Sequence, residues 1–173
     1  MLLTDQIIAE LLAEPKRLPD GAIRRLRSVK LRPRCREARA VVRARSDSGH
    51  YYSLFAQRPL ISITPNKFSV HLRYHPSRYA GPIILIRCNG WHPPHHNVIE
   101  ELTGTGVQVV PALTCHIHTL TERYQQHIFK NDGYAEPTIE YDSFDEAIRH
   151  LCRSYGFYAP PDPSGQLELT FPE

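Results

Sequence analysis

The chain has 173 residues and a formal net charge of +3, with 41% hydrophobic and 23% charged residues. That balance excludes a wholly disordered chain and suits one domain with a proper core. No apolar run approaches the roughly 20 residues that span a bilayer, and the first ten residues carry Asp5 and Glu10 on an amphipathic pattern that does not suit a signal peptide.

The expectation is therefore a cytoplasmic protein with no membrane segment. Its four cysteines, Cys35, Cys88, Cys115 and Cys152, are far apart and form no CxxC pair. Reduced, mostly buried thiols are expected.

In chain order, residues 4–14 read as a helix. Thr4 can cap it, Ile7, Ile8, Leu11 and Leu12 share one face, and Pro15 ends it. A short helix over 20–28 would turn Ile23 and Leu26 inward and Arg24, Arg25 and Arg27 to water. Residues 39–45 and 50–56 read as a hairpin about Asp47-Ser48-Gly49. Residues 67–75 alternate cleanly, with Phe68, Val70, Leu72 and Tyr74 on one face. Ser69, His71, Arg73 and His75 take the other.

Residues 83–88 are apolar enough for a central strand, and Gly90, Pro93 and Pro94 make 89–94 a loop. Residues 100–106 read as an exposed excursion, and 107–110 and 115–120 as short strands. Ser143-Phe-Asp-Glu146 is a capping box that opens a helix through Tyr155, stopped by Gly156. The predicted architecture is α+β: a curved antiparallel sheet of five or six strands with N- and C-terminal helices packed on one face. Residues 1–158 would form that single domain and residues 159–173, with four prolines, an extended arm.

Charge is unevenly placed. From Lys16 to Arg45 there are twelve Lys or Arg against Asp20 and Glu37, whereas from His95 to the end there are twelve Asp or Glu against four basic residues. A segment this basic suggests an anionic partner, above all nucleic acid. Its Arg24, Arg25, Arg27, Lys30, Arg32 and Arg34, together with Arg73 on the polar strand face, are the candidate phosphate contacts. Pairing with the acidic half of the fold is the alternative.

Histidine supplies the candidate chemistry. His92, His95 and His96 lie in the loop after the central strand, and His116 and His118 share one side of a strand, with His127 beyond. Three readings are open. Paired imidazoles could give and take a proton in metal-independent RNA cleavage, with Arg87 stabilising the phosphate. His92, His95, Cys115 and His118 could instead hold a structural zinc. Or the histidines could be structural, in a non-catalytic module that binds nucleic acid or protein. Glu122 and Tyr124 could orient an imidazole or touch substrate.

The runs Leu12-Ala-Glu-Pro-Lys-Arg-Leu18, Lys67-Phe-Ser-Val-His-Leu-Arg-Tyr74 and Ile86-Arg-Cys-Asn-Gly-Trp-His-Pro-Pro-His-His-Asn97 resemble a family of small bacterial and phage proteins. In that family an Asn-Gly-Pro-His loop is followed by Cys-His-x-His, here Cys115-His-Ile-His118, and then by a Tyr/Ala segment, here Tyr134-Ala135. The family is similar to TumE-type toxins of toxin–antitoxin pairs. That resemblance implies interference with RNA, a role in phage conflict or defence, and neutralisation by an antitoxin. One departure stands out: the family carries Asp where this chain has Arg87, so the site would be inactive or rebuilt around His92 and His95.

Overall fold

In the computed structural model residues 2–27, 37–59, 66–77, 79–127 and 133–159 are described. Lys30, Arg32, Arg34 and Cys35, and the arm from residue 160, lie outside them. Helix α1 (Asp5–Ala13) starts where Thr4 Oγ1 accepts the Ile7 amide at 3.3 Å, and strand β1 (Lys16–Arg17) and helix α2 (Ala22–Arg27) follow. Then come the long strands β2 (Glu37–Ser46), β3 (Tyr51–Pro59), β4 (Ser69–His75) and β5 (Ile83–Asn89).

An excursion holds strand β6 (His95–His96), helix α3 (Val98–Thr103) and strand β7 (Val109–Val110). The chain returns through β8 (His116–Thr119), helix α4 (Glu122–Gln126) and β9 (Tyr134–Pro137). Helix α5 (Phe144–Ser154), capped by Ser143, and strand β10 (Phe157–Tyr158) close it.

The fold is α+β. The main sheet has eight strands in the order β10-β1-β2-β3-β4-β5-β8-β9, and β6 and β7 pair separately. Every neighbour in the main sheet is antiparallel except β1 and β10. The sheet is larger than the five or six strands expected because β1, β9 and β10, at or next to its edges, are only two to four residues long. A period of two cannot be read from so few positions.

One sheet face carries the core. Val42, Leu54, Val70, Leu72 and Ile86 pack beneath Ile8 and Leu11 of α1, Leu26 of α2, and Ile148 and Leu151 of α5. Each such side chain contributes roughly 1.5–3 kcal/mol of burial. The expected terminal helices therefore do share one face, which α2 also covers. Among the described residues no helix is long and apolar enough to cross a membrane.

The other face is polar, and it is set by the same alternation. Phe55, His71, Arg87 and His118 are successive cross-strand partners, as are Gln57, Ser69, Asn89 and His116. The excursion after β5 folds over the β8 end of this face. Gly90 lets it leave: a Cβ there would sit 1.9 Å from the Asn66 carbonyl oxygen and 2.6 Å from the Phe68 ring. The excursion is exposed over 101–106, as expected, but it begins as a helix and Glu100 is turned inward. Helix α3 buries Glu100, which meets Arg123 and accepts from the Tyr124 hydroxyl at 2.5 Å.

Candidate functional site

Register alone puts His116 and His118 side by side on the polar face, with ring centroids 4.9 Å apart. The loop from Gly90 brings two more imidazoles onto them. His95 lies 4.5 Å from His118 and 6.1 Å from His116, nearly parallel to the latter, and His92 lies 5.9 Å from His116. Arg87, the cross-strand partner of His118, brings Nη2 to 3.0 Å from His118 Nε2. Four imidazoles from two stretches of chain thus meet around one guanidinium. His116 and His118 are buried, whereas His92, His95 and Arg87 are partly open to solvent.

A directed chain of hydrogen bonds supports the cluster. Arg73 Nη2 donates to His71 Nδ1 (3.1 Å), His71 Nε2 to Ser69 Oγ (2.7 Å), and Ser69 Oγ to Asn89 Oδ1 (2.6 Å). Asn89 Nδ2 then donates to His116 Nε2 (3.2 Å), and His116 Nδ1 to the Thr114 carbonyl (2.8 Å). Arginine can only donate, so each later link has one consistent direction, and both histidines in the chain are neutral.

The charge environment agrees with that assignment. Burial, with Arg73 and Arg87 nearby, pushes His71 down to about 3. Burial likewise takes His116 down to about 4, against the upward pull of the Thr114 carbonyl. His92 is lowered too, first by burial and then by Lys67 and Arg87, while the Phe68 carbonyl pulls it upward. Neutral imidazoles beside fixed guanidinium charge are proton acceptors held where an anion is attracted.

The zinc set does not assemble. Cys115 and His118 are three positions apart in extended chain, so their side chains leave opposite faces; Cys115 is buried in the helix-covered core. Among the described residues no three His, Cys, Asp or Glu side chains are grouped to hold a metal ion. His96 points away and pairs with Glu101 at 2.6 Å.

As far as it is described, the early basic segment does not flank the cluster. Arg24, Arg25 and Arg27 are on α2, in the layer across the sheet from the histidines, and Arg27 Nε is 3.7 Å from Asp145. Lys16 is wholly buried, its Nζ donating to the carbonyls of Leu12, Glu14 and Tyr155 at 2.7–3.0 Å. Of the proposed phosphate contacts that are described, Arg73 alone stands by the cluster. Tyr124 serves the buried Glu100, while the Glu122 amide donates to Asp5 Oδ1 and its carboxylate accepts from Gln126, so both are engaged away from the imidazoles.

Three residues at the site were not singled out from sequence. Ser69 and Asn89 relay the hydrogen-bond chain. Asn97, fully buried, clamps the backbone of Ala135 with both amide atoms, at 2.7 and 2.9 Å, and holds the Val107 carbonyl at 2.6 Å. A signal existed, since Asn89 and Asn97 bracket the Gly90–His96 loop, and buried asparagines beside glycine and proline fix backbone. No family model matches the chain, and neither does any curated protein or solved structure.

Proposed function

We propose that this protein acts on RNA as a metal-independent phosphodiesterase of toxin or phage-conflict type, with the histidine cluster as its active site. The observation that supports the reading is the convergence of His92, His95, His116 and His118 beside Arg87, in a place that favours neutral imidazole and negative ligand together.

Both ring nitrogens of His116 are engaged, which suits a positioning role. His92 and His95 are the less buried residues of the four. In this proposal neutral His92 takes the proton of an RNA 2′-hydroxyl as O2′ attacks phosphorus. The bond from phosphorus to O5′ breaks, and His95, protonated once the phosphate anion sits beside it, gives O5′ its proton, leaving a 2′,3′-cyclic phosphate. Arg87, steadied against His118, neutralises the charge that gathers on the phosphoryl oxygens. A cognate antitoxin would act by covering this face, and the reaction places the protein where RNA is, in the cytoplasm.

The test is labelled RNA incubated with protein in excess chelator, followed by assay for cyclic-phosphate ends. Cleavage should persist, and His92→Ala and His95→Ala should each slow it by about 10²-fold or more. RNA left intact by the native chain would sink the enzyme reading. The second reading, a non-catalytic binding module, draws on the burial of His116 and His118; RNA bound but never cut would favour it.

A further inference from the structure

The cluster occupies one end of the polar sheet face, and the rest of that face has a composition of its own. Strands β3, β4, β5 and β8 contain no Asp or Glu. Cross-strand pairing sets Arg43 opposite Ser53 and Ser53 opposite Arg73, while Arg45 faces Tyr51 and Tyr51 faces His75. Arg43 and Arg45 are exposed and pair with no carboxylate among the described residues.

Aromatic groups lie between the cations. The Arg73 guanidinium sits 3.8 Å over the Phe55 ring, and that of Arg45 5.3 Å from the Tyr51 ring, which is 56% exposed. A cleft of about 580 Å³ opens beside Tyr51, between Arg43 and His75. Continuity with the cluster is direct, because Phe55, His71, Arg87 and His118 are neighbours in register. From β2 to β8 is four strand spacings, roughly 19 Å.

Cations without carboxylates, interleaved with a solvent-facing ring, are the means by which sheet surfaces hold single-stranded nucleic acid. Phosphates meet the arginines, and a base can stack on the aromatic face. A protein partner would need its own row of carboxylates to meet these arginines. Asp20 and Asp47 line a cleft on the β1 side that Arg43, Arg45 and Tyr51 share with Arg17, so the cationic row ends at β2.

We propose that the polar face of β2–β5 is a track for single-stranded RNA, running from Tyr51 and Arg43 past Arg73 to Arg87 and the imidazoles. It rests on the reading of the cluster as an RNA site and adds the substrate's class and direction. About four nucleotides cover the span, at the short end of the sites found in sheet-built single-strand binders.

The experiment is fluorescence anisotropy of the full chain with labelled, uncleavable 2′-O-methyl RNA two, four and eight nucleotides long, over a salt series. Affinity should rise from two to four nucleotides and then level off. Arg43→Ala and Tyr51→Ala should each weaken the four- and eight-nucleotide probes about five- to tenfold and spare the dinucleotide, and Arg43→Ala should flatten the salt slope by about 0.7. Both side chains are exposed, and thermal melts matching the native chain confirm that the variants fold. Duplex RNA should compete poorly.

Unchanged binding in both variants overturns the track, even if cleavage by the native chain is intact. Length-dependent binding lost in the variants, with no cleavage of ordinary RNA, supports the track while removing the catalytic reading. Binding of a polyglutamate peptide, with none of RNA, overturns both in favour of a protein surface.

Discussion

A single amide decides the charge state of the most enclosed imidazole. Asn89 accepts from Ser69 and donates to His116, so His116 Nε2 keeps its lone pair and its proton stays on Nδ1. Asn89→Asp replaces that donor with an oxygen. A carboxylate facing His116 Nε2 favours imidazolium, so His116 should rise from about 4 by roughly two units. Histidine NMR titration of the two proteins measures this directly. If His116 in the variant is still neutral at pH 5, the direction assigned to the hydrogen-bond chain is wrong. Cleavage by the variant should fall and its optimum shift toward alkaline pH, a change that simple loss of packing would not produce.

At the scale of elements, placement of the site depends on how the excursion from β5 is tied down. β9 is an edge strand, and its outer backbone at Ala135 finds no further strand; the Asn97 side chain takes that place and anchors Val107 as well. Asn97→Ala would leave the Ala135 amide and two carbonyls buried without partners. That should cost about 2–4 kcal/mol, read as a lower urea midpoint with little change in slope. The local signature is faster hydrogen exchange at Ala135, and since His95 stands two residues away, RNA cleavage should fall with it. Undiminished stability and exchange would mean that water replaces the amide, and the clamp would then not be what positions His95.

The long elements were legible because periodicity reports burial. Phe68, Val70, Leu72 and Tyr74 alternate with Ser69, His71, Arg73 and His75, and that pattern is enough to assign both faces of β4. The approach of two histidine stretches was an inference from one loop and one strand. What could not be read was the layer each basic residue occupies. Arg27 and Arg73 look alike in sequence, yet one meets Asp145 at 3.7 Å on the helical side and the other stacks on Phe55 at 3.8 Å on the polar side. Lys16 was equally opaque: a cation at the start of a basic run gives no sign that three carbonyls from two helix ends will enclose it.

For the whole molecule, enclosing neutral histidines makes stability depend on acid. Both states are neutral at His71 and His116 above the usual histidine value of 6.5, so their contribution is complete there. Below it the unfolded chain takes up protons that the folded chain refuses until about pH 3 for His71 and 4 for His116. Stability therefore falls as pH drops from 6.5, at about 1.4 kcal/mol per pH unit for each group. Integrated over the two titrations the upper limit for the pair is about 3 kcal/mol between pH 6.5 and 5, and solvent screening and relaxation reduce it to roughly 1–2 kcal/mol. Lowered values at His75, His92 and His150, each led by burial, act in the same direction. Lys16, taken down to about 8 by burial, acts in a separate alkaline window and leaves the acid limb untouched. Urea unfolding at pH 7 and pH 5 measures the difference, and His116→Gln, which keeps a polar group for Asn89 and cannot titrate, should shrink it. Equal midpoints at the two pH values would show that these imidazoles charge as readily in the fold as out of it. The neutral, phosphate-facing cluster would then lose its physical basis.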